Sequence, residues 1–224
     1  KKPTLTKKQR HKLRVQQVRR QKIFLTCLFL LIVGCILLRF SKFSGRQKET
    51  HQINAACEAY RDEVSSEAAQ YDMSDYVDLI LAVMMQESSG QGTDPMQSSE
   101  GAYNTRYPQQ PNGITDPSYS ISCGIQELKY ALEKAVCTGP TDLSKIRLAL
   151  QAYNFGADSY FAYLEENGQT VWTAQSAQAF AQMASGGTQR DEDDPLHDPA
   201  GPWDYGDQYY PDHVLRYYHL DNNS

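Results

Sequence analysis

In the stretch MMQESSG, residues 84–90, one charged side chain, Glu87, stands where an apolar run gives way to a loop rich in Gly, Ser and Gln. A solvated helix-end carboxylate would explain it, but a helix C-terminus is a slightly unfavourable place for negative charge. Packed against Val83, Met84 and Met85, the carboxyl would be partly desolvated, which raises its pKa and keeps it protonated longer. A carboxyl that holds its proton near neutral pH is what a general acid needs to protonate a glycosidic oxygen. Two further segments carry amides and a phenol: GIQEL (124–128) with Gln126, and AYNFG (152–156) with Tyr153 and Asn154. Such groups hydrogen-bond sugar hydroxyls and N-acetyl groups and stack on ring faces. A core tyrosine and a capping asparagine would explain AYN equally well.

The tripeptide TDP occurs at 93–95 and again at 115–117. Asp before Pro reads as a helix N-cap followed by proline at the first helical position. Asp116 is expected to be such a cap, while Asp94 fits either a cap or a second carboxylate. Cys123, with His197 or His213 downstream, has the elements of a cysteine peptidase, but it lies inside an apolar helical stripe where inert burial is expected. The histidines His11, His51, His197, His213 and His219 show no pairing at metal-ligand spacing, so neither metal nor cofactor is expected.

The elements that would position these residues are helical. Residues 54–70 are rich in Ala, Glu and Gln; residues 75–86 place Val77, Leu81 and Met84 on one stripe, widened by Ile80 and Val83, which predicts a mostly buried helix starting near Ser74. Ile121, Ile125, Leu128 and Leu132 recur at helical spacing within 120–136, and 142–156, 157–168 and 173–187 repeat the pattern, each closing at a glycine. No period-two alternation appears, which predicts an all-α, or nearly all-α, domain. Between the second and third segments, residues 89–120 form a long stretch of Gly, Pro, Ser, Asn and Gln, of the kind that is functional or disordered in a compact domain. Tyr103, Tyr107 and Tyr119 argue for packing. In the tail, an acidic run at 191–194 precedes an aromatic segment expected to dock through Tyr217, Tyr218 and Leu220.

The net charge of −5 over 224 residues conceals an asymmetry. Residues 1–22 hold ten Lys/Arg and no acid, whereas from residue 43 onward ten Lys/Arg meet all 27 Asp/Glu, a net charge of −17. Between them, residues 23–40 form an apolar run interrupted only by Arg39, at the short end of the range for a bilayer span. The flanking charge predicts an uncleaved single-pass signal-anchor: a cytoplasmic basic segment at 1–22, a transmembrane helix at 23–40, a tether at 41–52 and an extracellular domain at 53–220. IVGC at 32–35 would suit acylation of Cys35, but apolar residues follow it directly. Beside a membrane span the basic run reads as a topology signal, not a nucleic-acid arm. The outer cysteines Cys57, Cys123 and Cys137 are odd in number and irregular in spacing, which favours buried thiols over a disulfide framework.

In order and spacing, the E-S, G-I-Q and A-Y-N segments resemble the goose-type lysozyme and soluble lytic transglycosylase superfamily. The longer strings QESSGQGTDPMQSSEG, ITDPSYSISCGIQELK, KIRLALQAYNFG and YGDQYYPDHVLRYY are similar to the lysozyme-like domain of CwlT-type wall hydrolases of Gram-positive bacteria. The resemblance covers about residues 53–218 and implies a lysozyme-like helical fold that cleaves the β-1,4 bond between N-acetylmuramic acid and N-acetylglucosamine in peptidoglycan. It puts Glu87 in the role of general acid and then base, with Ser88 orienting the carboxylate or the substrate. Asp94 becomes the candidate second carboxylate, and Gln126, Tyr153 and Asn154 line the cleft. A hydrolytic muramidase needs that second carboxylate. A lytic transglycosylase does not, because the muramic 6-hydroxyl attacks its own anomeric carbon. Tethering near nascent strands favours the transglycosylase, with cell-wall synthesis or division proteins as partners. The alternative is a non-catalytic, membrane-anchored glycan-binding or division scaffold with the same fold.

Overall fold

A computed structural model describes residues 51–194 and 197–220; the basic segment, the expected span at 23–40, Cys35 and most of the tether lie outside the described residues. Among the described residues no helix is long and apolar enough to cross a membrane. These residues are helical without a strand, and one isolated antiparallel bridge joins Gln189 to Trp203. Among the described residues, the expected all-α architecture is what forms.

The centre is helix α3, Val77–Glu87, which follows α1 (Ala55–Glu58), α2 (Arg61–Gln70) and a 3₁₀ turn at Ser74–Tyr76. Leu79 to Met84 are all buried, so α3 is the mostly buried helix that its widened apolar stripe predicts. A helix hydrophobic all round belongs in a core. Each such aliphatic side chain contributes about 1.5–3 kcal/mol on full burial, which anchors the element that ends in Glu87. Next in the chain come α4 (Pro117–Lys134), α5 (Leu143–Phe155), α6 (Ala157–Glu166), α7 (Ala174–Ala184) and the short α8 (Tyr210–Leu215); α3 packs against α2 and α8, and α5 against α4, α6 and α8.

Local chemistry starts and stops these helices where expected. Asp116 caps α4, its side chain accepting from the N–H groups of Ser118 and Tyr119, with Pro117 in the first turn. Thr173 and Ser176 form a reciprocal capping box on α7. Gly156, at φ +84°, separates α5 from α6. Ile121, Ile125, Leu128 and Leu132 are buried, so the apolar face of α4 is the one its spacing predicts. Phe155, Tyr160 and Phe180 stack edge-on or tilted at 5.1–5.3 Å and join α5, α6 and α7.

Cys57, Cys123 and Cys137 are free; the first two are buried and the third partly so. Burial pushes the Cys123 thiol up, away from the thiolate a nucleophile requires, which removes the peptidase reading. In the tail, Tyr218 docks through its hydroxyl to the Pro140 carbonyl at 2.8 Å, whereas Leu220 stays 37% exposed.

Candidate active site

Glu87 is the last residue of α3, and the chain turns away at once: Ser88 closes the helix, and Ser89 and Gly90 both take positive φ. Gly90 is required there, since a Cβ would lie 2.8 Å from the Cys57 nitrogen and 2.9 Å from the Ala56 carbonyl carbon. The carboxyl thus projects from a buried helix into a polar cavity of about 650 Å³, whose walls include Gln97, Asn154, Asp207, Tyr210 and His213. Partial burial, with further contributions from the charges of Asp207, Asp94 and Glu127, raises its pKa to about 7, while a hydrogen bond from the Tyr210 hydroxyl to Oε1 opposes the rise. With Oε1 accepting that bond, a proton on the neutral carboxyl would sit on Oε2. The Tyr153 ring lies nearly parallel to Tyr210, 6.3 Å away, and its own hydroxyl donates to the Met96 carbonyl at 2.9 Å. Tyr153 therefore braces the residue that holds Glu87.

The loop after Glu87 is ordered by its own polar groups. The Ser88 hydroxyl donates to the Pro95 carbonyl at 2.8 Å and accepts from the Gly90 N–H at 3.0 Å. It is committed to the loop and not to the Glu87 carboxylate. Asp94 caps no helix. It is 1% exposed, and its carboxylate accepts from the N–H groups of Ser98 and Ser99 and from the hydroxyls of Ser99 and Ser120. This replaces the capping reading: the groups converging on Asp94 are loop amides and a hydroxyl from α4. Asp94 is not among the residues that line the cavity around Glu87.

Asn154 lines the cavity, where its Oδ1 accepts the Asp207 N–H at 2.7 Å. Gln126 goes elsewhere. Its amide donates to the Ser122 carbonyl at 3.1 Å, and its side chain lines a second groove of about 550 Å³ with Tyr71, Tyr103 and Tyr119. One residue further round α4, Glu127 has a buried Oε1 with no hydrogen-bond partner, directly beneath Gly101. Burial raises its pKa from the usual 4.5 to about 7. A carboxyl whose pKa is raised by folding adds stability below its unfolded pKa and loses it as pH climbs through the folded value. Glu127→Gln is therefore expected to leave stability unchanged near about pH 4 and to raise it by about 1–3 kcal/mol near about pH 8, read by denaturant melts at both pH values.

Residues 55–218 match the lysozyme-like family, and the chain belongs to it. Among curated proteins it is similar to the bifunctional muramidase/DL-endopeptidase CwlT of Bacillus subtilis, 35% identical over 75% of this chain and 44% of that one. A pneumococcal vaccine antigen A homolog from Streptococcus pyogenes is 37% identical over 49% of this chain and 50% of its own. Among solved structures, a lipoprotein-like protein of the NLP/P60 family from Staphylococcus aureus superposes with a TM-score of 0.63 at 27% identity, over 78% of this chain and 56% of that one. The chain spans about half the length of the curated relatives it matches.

Proposed function

We propose that this chain is a peptidoglycan glycosidase that cleaves the β-1,4 bond between N-acetylmuramic acid and N-acetylglucosamine, with Glu87 as general acid. The observation that carries the reading is the carboxyl itself: it opens into a polar cleft, is held by Tyr210, and is poised by burial to protonate at about 7. The muramidase activity named for CwlT supports the substrate class. Glu87 would protonate the leaving oxygen, and the Tyr210 hydroxyl would then stabilise the carboxylate left behind. The ten positive charges ahead of the apolar run at 23–40 support a membrane-anchored enzyme with its cleft on the outer face, acting in wall remodelling and division.

The test is digestion of purified glycan strands by the full chain, with muropeptides read by mass spectrometry. Release of disaccharide units by the wild type and none by Glu87→Gln is expected; retained cleavage in Glu87→Gln would overturn the assignment. A second expectation concerns pH. Glu87 must be protonated to act, so kcat/KM should fall as pH rises past about 7. Removing the Tyr210 hydroxyl takes away a bond that favours the charged form. Tyr210→Phe should therefore move that alkaline limb upward while lowering kcat about ten- to a hundredfold, as measured in a pH–rate profile.

A further inference from the structure

Proton donation by Glu87 leaves the identity of the attacking oxygen to the rest of the cleft. Water needs a base to take its proton, and that base must face the same cavity with a lone pair to spare. Asp94 fails this requirement, because four donors and near-total burial close off its carboxylate. Glu127 contributes no wall to the cavity. Asp207 does, and it heads the charges that raise the pKa of Glu87.

Asp207 is held at every polar atom. Two amides on one face of α5 clamp its backbone: Asn154 Oδ1 accepts its N–H at 2.7 Å, and Gln151 Nε2 donates to its carbonyl at 2.8 Å. Gln151 is itself fully buried and fixed by the Trp172 indole N–H at 2.8 Å. Oδ1 of Asp207 accepts the Tyr209 N–H at 2.8 Å, and Oδ2 lies 2.6 Å from His213 Nδ1, which donates to it. Gly206 permits this approach to α5: at φ +48°, a Cβ there would come within 2.6 Å of Asn154 Oδ1. A carboxylate has about four acceptor sites, so each oxygen keeps one open, and 28% of the side chain remains accessible. A turn that only needed capping would not require two buried-face amides, a histidine and a glycine to fix one aspartate.

Resting on the glycosidase reading, we propose that Asp207 is the second carboxylate of the site, the base for a water molecule, and that the reaction is hydrolysis. Glu87 gives its proton to the glycosidic oxygen as the C1–O bond breaks, and the bonding pair leaves with that oxygen. The water oxygen forms the new bond to C1 while its proton passes to Asp207. Solvent then returns a proton to Glu87 and takes one from Asp207, closing the cycle. This reverses the transglycosylase preference that tethering suggests.

Glycan strands digested by the wild-type chain in detergent micelles, in water enriched in oxygen-18, decide the matter. A free reducing end carrying the heavy oxygen is expected. A product one water lighter, the 1,6-anhydro form, would overturn the role of Asp207 while leaving Glu87 and the glycosidase reading intact. Absence of any cleavage would overturn both. Asp207→Asn keeps the acceptor for the Tyr209 N–H, and its amide can donate to His213 Nδ1 in the other imidazole tautomer, so its melting temperature should stay close to the wild type; its kcat should fall about 100-fold or more with KM within about threefold. A kcat within about threefold of the wild type would equally overturn the proposal.

Discussion

Glu87→Gln is expected to lower glycan cleavage by about a hundred- to ten-thousandfold and, at the same time, to make the protein more stable in mild alkali. The first effect follows from the proposed role of Glu87 as proton donor to the leaving oxygen; removing an acid–base group costs about 10²–10⁴ in rate. The second follows from the same burial that makes Glu87 useful. Its pKa rises from the usual 4.5 to about 7 because the folded chain desolvates the charged form. The wild type thus gains nothing from this group once pH exceeds the folded value, and is destabilised relative to a neutral amide. The variant and wild type should melt together near about pH 4, diverge through the interval between about pH 5 and 7, and differ by about 1–3 kcal/mol near about pH 8. Calorimetric melts across that range check the claim. A constant difference at all pH values would mean that packing, not ionisation, distinguishes the two side chains.

What the sequence made legible tracks the range of the interactions involved. Caps and stops such as Asp116 and Gly156 act within a few residues, and the apolar spacing of Ile121, Ile125, Leu128 and Leu132 needs only one helix. Glu87 was legible for the same reason, since Met84, Met85 and the helix end are its neighbours in the chain. Tyr210 was not, because its contact with Glu87 spans 123 residues. It also opens α8, six residues interrupted by Pro211 and too short to show a helical period. The string YGDQYYPDHVLRYY carries the resemblance as a unit, but its spacing does not single out Asp207, and it offers His213 only as a downstream partner for Cys123. Gln126 and Glu127 make the finest case. Neighbouring helical residues point about 100° apart, and the register of α4 against the loop decides which of them meets Gly101.

Asp94→Asn is expected to abolish activity by unbuilding the loop, with a stability loss of about 2–4 kcal/mol, because a buried charged acceptor is removed from several hydrogen bonds. The amide presents two donors where Ser98, Ser99 and Ser120 already point donors, so at least one pair of N–H or O–H groups must face another. The damage then travels by named contacts. Ser99 also holds the far side of the loop through the Ile114 N–H at 2.9 Å, and Ser120 holds the Met96 N–H at 3.1 Å. Met96 in turn receives the Tyr153 hydroxyl and packs so tightly on Gly124 that a Cβ there would come within 2.6 Å of its own Cβ. Loosening Met96 frees Tyr153, and with it the brace on Tyr210 and Glu87. Loss of cleavage in Asp94→Asn should therefore appear together with a lower melting temperature, whereas Asp207→Asn should lose cleavage without one. An Asp94→Asn protein that melts like the wild type yet cleaves nothing would instead return Asp94 to the chemistry.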